Sequence, residues 1–224
     1  MAINAVHNLV LPLGPHDNLV ASGIVRADAA VRSPDIEVSG LSKSFDGKNQ
    51  VLQDIHFSIP NGQAVALIGH NGSGKSTLLR CCLRLIEPSS GTITLLNKPL
   101  STLTGTALRQ LRSQVGFVFQ RHNLVPRLSA LTNVLHGVQA RKTGPHTWFH
   151  WLAAQKDRQD AMLQLERVRL GHLALRRVDQ LSGGESQRVA IARALMQQPR
   201  MVMADEPAAS LDPLAGEEVM QLFL

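Results

Sequence analysis

The sequence lacks the features that mark secreted and membrane-spanning chains. It has no tyrosine, two cysteines in 224 residues, and no apolar run near the roughly 18 residues that a membrane helix needs. Residues 2–13 are mildly apolar, but no Lys or Arg precedes Arg26, and a secretory signal requires a basic start. The neighbouring Cys81 and Cys82 are predicted to be small core residues, because nothing suggests a disulfide framework. A reducing cytoplasm fits this composition.

Positive charge is concentrated in one stretch of the chain. The formal net charge is +6, and residues 141–177 contain eight Lys or Arg against three Asp or Glu. This stretch can be read as a surface for nucleic acid or anionic lipid, or as the solvated face of helices, and the sequence leaves both readings open. A content of 44% hydrophobic and 18% charged residues is typical of a globular protein.

The most informative stretch is a glycine-rich loop at residues 69–77. It reads GHNGSGKST and matches the pattern G-x-x-x-x-G-K-[ST]. Residues 65–68 before it are apolar and are predicted to form a strand buried on both faces. Apolar residues at helical spacing follow it, so the order is strand, glycine loop, helix. The alternative is a chance glycine-rich turn, which this context disfavours.

This pattern supplies the chemistry for binding a nucleotide phosphate. Glycines let successive backbone N–H groups point at one anion, and the positive end of the following helix adds to them. Lys75 brings a charge to the β- and γ-phosphates, and Ser76 offers a hydroxyl to Mg²⁺. The predicted cradle consists of Gly69, His70, Asn71, Gly72, Ser73, Gly74, Lys75, Ser76 and Thr77.

Turn residues and apolar periodicity divide the rest of the chain. Residues 1–34 show no sustained period and are predicted to be a flexible extension. Alternating residues near 36–38, 55–59 and 92–95 predict an antiparallel β element. Buried strands are predicted at 115–119, ending at Gln120, and at 201–204. Between them, the pattern from 131 to 177 is helical.

Two further stretches permit both a structural and a functional interpretation. Residues 181–187 read LSGGESQ, and Ser182 with Glu185 three residues on predicts a capping box at a helix start. Trp148, Phe149 and Trp151 cluster inside the helical stretch and are interpreted either as core or as a contact surface for a partner helix. The strand at 201–204 delivers Asp205 and Glu206 at its carboxyl end, where ligands bind in open α/β sheets.

These elements in this order resemble the nucleotide-binding subunit of an ABC transporter. The resemblance covers residues 35–224 and rests on the glycine loop, Gln120, LSGG before a helix, and Asp-Glu-Pro with Ser-Leu-Asp some twenty residues on. It implies an α/β fold: a P-loop NTPase of ABC type with a mostly parallel core sheet, an antiparallel β subdomain and a helical subdomain inserted at about 121–178.

The resemblance also implies a role for each matching residue. Phe45 takes the place of the aromatic that stacks on adenine, although plain core packing is its alternative. Gln120 matches the glutamine that senses Mg²⁺ and the attacking water. Asp205 holds Mg²⁺ together with Ser76, and Glu206 is the general base, with a surface carboxylate as its alternative. The remaining matches face the opposite subunit: Ser182, Gly183 and Gly184 cap its γ-phosphate, and Asp212 crosses the dimer interface.

The implied function is an ATPase that drives an importer. ATP and Mg²⁺ are the implied cofactors, and the implied partners are a second cassette, two integral membrane permease subunits and, indirectly, a solute-binding protein, with no nucleic acid. The implied location is peripheral, at the cytoplasmic face of the bacterial plasma membrane. Residues 123–135 and the long helical insert resemble the phosphonate importer ATPases, although His70-Asn71 departs from their loop. Another small polar solute stays an alternative, and a soluble ABC ATPase of DNA repair or translation is disfavoured by the lack of a long coiled coil or a second cassette.

A last expectation concerns the end of the chain. The family places a switch histidine well after the general base, whereas all nine histidines here precede Asp205 and eighteen residues follow Glu206. We therefore expect a C-terminally truncated cassette that binds ATP but hydrolyses it slowly. A degraded cassette is the alternative, and the intact motifs favour recent truncation.

Overall fold

The computed structural model describes residues 34–142 and 153–207, in two compact units that meet in sequence between Gly105 and Thr106. The predicted flexible extension (apart from its last residue, Pro34), the Trp148–Phe149–Trp151 cluster and Asp212 lie outside the described residues. Neither unit contains, within the part of the chain described, a helix long and apolar enough to span a bilayer.

The first unit is built on a four-stranded antiparallel sheet. Its strands are β1 (Pro34–Ser44), β2 (Gln50–Pro60), β3 (Ser90–Leu95) and β4 (Lys98–Pro99), in the order β2-β1-β3-β4. β1 pairs with both long neighbours, so that Val38 lies opposite Phe57 on one side and Ile93 on the other. Ile36, Val38 and Ile55 are buried while Glu37 is exposed, as alternation along a half-buried strand requires. The predicted antiparallel element is confirmed.

Helix α1 (Lys75–Cys82) follows the glycine loop as predicted. It buries Leu78, Cys81 and Cys82, and both cysteines are free. Burial raises the pKa of Cys82 to about 12, so its thiol stays protonated and unreactive near neutral pH. The prediction of core cysteines is confirmed.

The prediction of a strand at residues 65–68 is wrong. Only Ala66 forms an isolated bridge there, and Ile68 is 50% exposed. An apolar run becomes a strand only when neighbouring strands satisfy its N–H and C=O groups. The sheet of the same unit has four strands, and none of them pairs with this run.

The second unit combines a parallel strand pair with packed helices. After α2 (Gly105–Arg112), β5 (Val115–Val118) pairs in parallel with β6 (Met201–Ala204), with Val115 opposite Met201 and Val118 opposite Ala204. The helices α3 (Ala130–Leu135), α4 (Gln155–Arg167) and α5 (Gly183–Met196) lie between these strands in sequence. Short 3-10 turns at His136–Ala140, Gly171–Leu173 and Val178–Gln180 link them. Their shared core includes Val134, Leu135, Val138, Ala161, Leu165 and Ile191.

Close approach of two backbones fixes how the helices of this unit pack. A Cβ placed on Gly137 would lie 2.3 Å from the Arg193 carbonyl oxygen and 2.9 Å from Cβ of Met196. Only glycine leaves room for α5 at this point. Arg141 fastens the same region, because Nη2 donates to the Met196 carbonyl at 2.8 Å and Nη1 donates to Oε1 of Gln198 at 2.7 Å.

Candidate nucleotide-binding and catalytic site

Lys75 closes the glycine loop into a ring. Its Nζ donates to the carbonyl oxygens of Gly69 at 2.8 Å and His70 at 3.0 Å, the first two residues of the loop. An ammonium group has three N–H donors, so two hold the loop and the third remains for an anion. The positive charge of Lys75 is thereby held at the start of α1.

Two glycines with positive φ shape the turn into α1. Gly74 has φ 95° and caps the helix, and a Cβ there would lie 2.9 Å from the Val51 carbonyl oxygen of β2. Gly72 has φ 83° and open space around it. The N–H groups of the first helical turn have no intrahelical partners. The hydroxyl of Ser73 is buried with no hydrogen-bond partner among the described residues, so the loop offers a further polar group to a ligand.

Phe45 projects from the sheet unit instead of packing in its core. Its side chain is 63% exposed, which rules out core packing as its role, and Nζ of Lys43 lies 4.9 Å from its ring centroid. The turn that follows is organised by Asp46, which accepts hydrogen bonds from the backbone N–H groups of Lys48 and Asn49. The bond from the Asn49 N–H, followed by that from Lys48, holds the pKa of Asp46 well below its usual range. Phe45 thus presents an aromatic surface next to a fixed turn.

Gln120, Asp205 and Glu206 meet at the carboxyl end of the parallel strand pair. The Asp205 N–H donates to the Val118 carbonyl at 2.9 Å and extends the pairing, and Asp205 is 1% exposed. Nε2 of Gln120 donates to Oε2 of Glu206 at 2.8 Å. Glu206 has φ 54°, in the left-handed region that costs a non-glycine residue about 1–3 kcal/mol and is concentrated at functional sites.

Ser182 caps α5 with the geometry that the sequence predicts. Its Oγ accepts from the Glu185 N–H at 3.2 Å, and its own N–H donates to Oε2 of Glu185 at 2.7 Å, which completes a capping box. That backbone hydrogen bond from Ser182 is the main cause that lowers the pKa of Glu185. Gly183 is exposed, and a Cβ there would meet nothing within 4 Å. The structural reading of LSGG as a capping box is confirmed, and Ser182 and Gly183 are exposed to solvent.

The predicted site residues are therefore divided between the units. Phe45 and residues 69–77 belong to the first unit, while Gln120, Asp205, Glu206 and residues 182–184 belong to the second. Sequence reasoning missed Arg193, whose guanidinium binds the backbone just after Gln120. The contact joins residues 70 and 71 positions apart, so no local pattern signals it. Lys43 beside Phe45 was missed for a different reason, since a single half-buried lysine in a strand carries no signal.

A glycine loop closed by its lysine, an LSGG loop at a helix start, and an acidic pair at the end of a parallel strand define an ATP-binding cassette of the P-loop NTPase class. Residues 52–209 match the ABC transporter family model, and the chain belongs to that family.

Named relatives and solved structures agree with this assignment. The chain is 42% identical over 185 residues to the phosphonates import ATP-binding protein PhnC of Treponema denticola, covering 83% of this chain and 72% of that protein. It is 46% identical over 188 residues to PhnC of Nitratidesulfovibrio vulgaris, covering 83% and 70%. The dimeric structure of the bacterial ABC transporter cassette MJ0796 superposes with a TM-score of 0.75 at 34% identity, covering 84% of this chain and 80% of that one.

A second structure of MJ0796 is a dimer in a post-hydrolysis state with ADP and phosphate, and it has a TM-score of 0.74 and 33% identity. The predicted fold class and the predicted ATP-binding ABC subunit are confirmed by these matches. The chain spans about 70% of the length of the PhnC relatives.

Proposed function

We propose that the chain binds Mg-ATP in the 69–77 loop and hydrolyses it to energise an ABC importer, with phosphonates as the transported class. The observation that carries this proposal is the carboxylate of Glu206, held by Gln120 beside the buried Asp205. Phosphoryl transfer needs positioning and charge neutralisation more than covalent chemistry. The named relatives, which are phosphonates import proteins, support the importer and its substrate class.

In this proposal, the first unit binds the nucleotide. Residues 69–77 wrap the phosphates with backbone N–H groups, and the remaining donor of Lys75 carries its charge to the β- and γ-phosphates. Phe45 stacks its exposed face on adenine. Nζ of Lys43 lies over the ring, where the ring quadrupole attracts its charge.

The available oxygen groups fit Mg²⁺. Among the residues described, no three His, Cys, Asp or Glu form a cluster, so a metal cage made only of protein ligands is absent there. Mg²⁺ is instead bound through one or two carboxylates, waters and nucleotide phosphates. Asp205 and the Ser76 hydroxyl would hold it. Gln120 would add its Oε1, because its Nε2 is already committed to Glu206. Bound there, the metal neutralises phosphate charge.

Glu206 is the proposed general base. Its Oε2 accepts from Gln120, which leaves Oε1 to take the proton from an attacking water. Glu206 stands two residues after the end of β6, with its backbone in the left-handed region. Gln120 thus holds the base in one orientation and links it to the segment that leads into the helices.

A second copy of the chain completes the proposed site. The loop at residues 182–184, in which Ser182 and Gly183 are exposed, lies at the positive end of α5 and would donate to the γ-phosphate bound by the partner. A two-fold dimer then encloses two nucleotides. The two dimeric structures of MJ0796, a cassette of similar fold, support this arrangement.

The importer role requires a membrane partner. A groove of about 420 Å³ on the helical part is lined by Leu131, Met162, His172 and Leu175, among others, and Leu175 is 74% exposed. We assign this groove, within a helical subdomain at about 121–178 of a nucleotide-binding domain at 35–224, to a short helix of a permease subunit. The chain would then lie on the cytoplasmic face of the membrane, with a solute-binding protein as an indirect partner.

Nucleotide binding by Lys75 gives the first test. Isothermal titration with Mg-ATP should show binding to the chain and loss of most affinity in Lys75→Ala. Lys98→Ala, which removes an exposed lysine of the same unit in β4, serves as the control and should bind normally. Equal affinity in Lys75→Ala and the control would refute the assignment of the loop.

Transport of a phosphonate by vesicles that contain the reconstituted importer tests the substrate class. Transport of another solute and of no phosphonate would replace phosphonates as the proposed class.

A further inference from the structure

The segment after Gln120 depends on side chains for its shape. No helix or strand lies between Val118 and Ala130, and we call residues 119–125 the glutamine segment. Irregular backbone keeps one path only where its polar groups find partners. The fully buried Asn133 of α3 holds the far end, since its Oδ1 accepts from the Val125 N–H at 2.7 Å and its Nδ2 donates to the Val125 carbonyl at 3.1 Å.

Arg193 of α5 holds the middle of the glutamine segment. Its Nη2 donates to the His122 carbonyl at 2.7 Å, and its Nη1 donates to the Asn123 carbonyl at 2.6 Å. A guanidinium is planar and rigid, so two consecutive carbonyls are fixed at once. Asn123 has φ 50°, a left-handed conformation that a pair of charge-assisted bonds helps to maintain.

Within the described residues, Arg193 donates to these two carbonyls and pairs with no acidic side chain. The Arg193 side chain is half-buried, and this burial lowers the pKa of its guanidinium. None of the ion pairs found in the described residues includes it. The two carbonyls are therefore its compensation for lost hydration. Burial, followed by the charge of Arg193, lowers the pKa of His122, so a neutral imidazole lies beside the guanidinium.

α5 connects this contact to the loop at residues 182–184. The helix runs from Gly183 to Met196, and the ten residue steps from Gly183 to Arg193 span about 15 Å of rigid helix. At the other side of the contact, Gln120 lies two positions before His122 and bonds to Glu206. One guanidinium therefore joins the helix that presents Ser182 to the segment that presents Gln120.

We propose that Arg193 is a positioning residue that makes α5 and the glutamine segment move as one body. A displacement of the LSGG loop by a second copy or a membrane partner then reaches Gln120 and changes its bond to Glu206. This inference rests on the proposed function, because Gln120 and Glu206 act there on a bound nucleotide. It assigns a role to a residue that the proposed function does not place on the nucleotide or the metal.

Arg193→Lys tests the geometry while the charge is kept. Lysine carries one nitrogen and cannot span two carbonyls as a fork. We expect unchanged Mg-ATP affinity and a fall in kcat of roughly 10- to 100-fold, the usual cost of misplacing a catalytic group by about 1 Å. Single-turnover phosphate release, followed for hours, resolves slow hydrolysis. Unchanged kcat in Arg193→Lys would overturn the inference.

Arg141→Lys is the matched control. Arg141 also makes two bonds near the end of α5, to the Met196 carbonyl and the Gln198 side chain, but it does not touch the glutamine segment. We expect both variants to lower Tm by a similar amount and only Arg193→Lys to lower kcat. An equal fall in kcat in both would show a general loss of packing and refute a positioning role.

A double-mutant cycle with Gln120→Ala tests whether Arg193 affects kcat through Gln120. If Arg193 acts through Gln120, Arg193→Lys causes no further fall in kcat in the Gln120→Ala background, whereas falls that multiply would contradict the proposal.

Hydrogen exchange gives a readout that does not depend on turnover. Mg-ATP should slow exchange in residues 119–125 of the unmodified chain and not in Arg193→Lys. An equal response in both contradicts the inference. Failure of the unmodified chain to bind Mg-ATP would instead refute the proposed function.

Discussion

Gln120 and Glu206 lie 86 positions apart in the sequence, yet their side chains share a hydrogen bond of 2.8 Å. Val118 and Ala204 are opposite each other where β5 and β6 end, and each of the two side chains stands two residues further on. The parallel pairing therefore delivers an amide and a carboxylate to one place. Any movement of the segment that carries Gln120 changes the support of the carboxylate.

The first prediction concerns Glu206 as the base. Glu206→Gln keeps the size of the side chain and can still accept from Gln120, but it cannot take a proton. We expect hydrolysis to fall by about 10²- to 10⁴-fold with Mg-ATP affinity retained. Phosphate release and titration calorimetry measure the two properties. Glu37→Gln, an exposed carboxylate in β1, is the control, and hydrolysis by Glu206→Gln at the control rate would exclude the role.

The second prediction concerns Phe45. Base stacking on an aromatic ring contributes about 1–3 kcal/mol, so Phe45→Ala should weaken ATP binding roughly 5- to 150-fold, while Phe45→Trp retains it. Because the ring is 63% exposed, Tm should hardly change. Leu85→Ala removes another exposed apolar side chain of the same unit and should leave affinity intact. A loss of Tm without a loss of affinity in Phe45→Ala would contradict stacking.

The third prediction concerns pH and the capping box. The pKa of Glu185 is lowered in the folded chain, chiefly by the Ser182 N–H, so folding favours its ionised form. This stabilisation is fully present above the unfolded value near 4.5 and is lost as pH falls from there through the folded pKa. Glu185→Gln should therefore be less stable than the unmodified chain at pH 7, and the difference should shrink below about pH 4.5. Urea unfolding at several pH values measures it, and a difference that does not change with pH would contradict the assignment.

The fourth prediction concerns the groove around Leu175. Because the native Cys81 and Cys82 are buried, a cysteine placed at Leu175 is the reactive one among the described residues. In the assembled importer, Leu175→Cys should crosslink to a permease subunit. Gln159→Cys, exposed on α4, is the control and should react far less. Crosslinks to nucleic acid, or equal reaction at both positions, would contradict the proposed docking site.

Local motifs were readable from the sequence because their contacts are local. Lys75 bonds to carbonyls five and six positions before it, and the capping box joins residues three apart. A short spacing limits the conformations available, so a few residue types specify the result. The strands at 115–118 and 201–204 were predictable for a related reason, since an apolar run with a polar end suits a buried parallel strand.

Features that depend on contacts between residues far apart in the sequence could not be predicted from local patterns. The run at 65–68 has the composition of a strand, but composition does not provide a neighbour with which to pair, and the strand is absent. The exposure of Phe45, the left-handed backbone of Glu206 and the hold of Arg193 on His122 and Asn123 likewise follow from packing. Residue types and short spacings encode which chemical groups the site contains, so those groups could be named from the sequence. Which of them touch depends on folding, because hydrogen bonds across 70 to 86 positions form when packing brings the elements together.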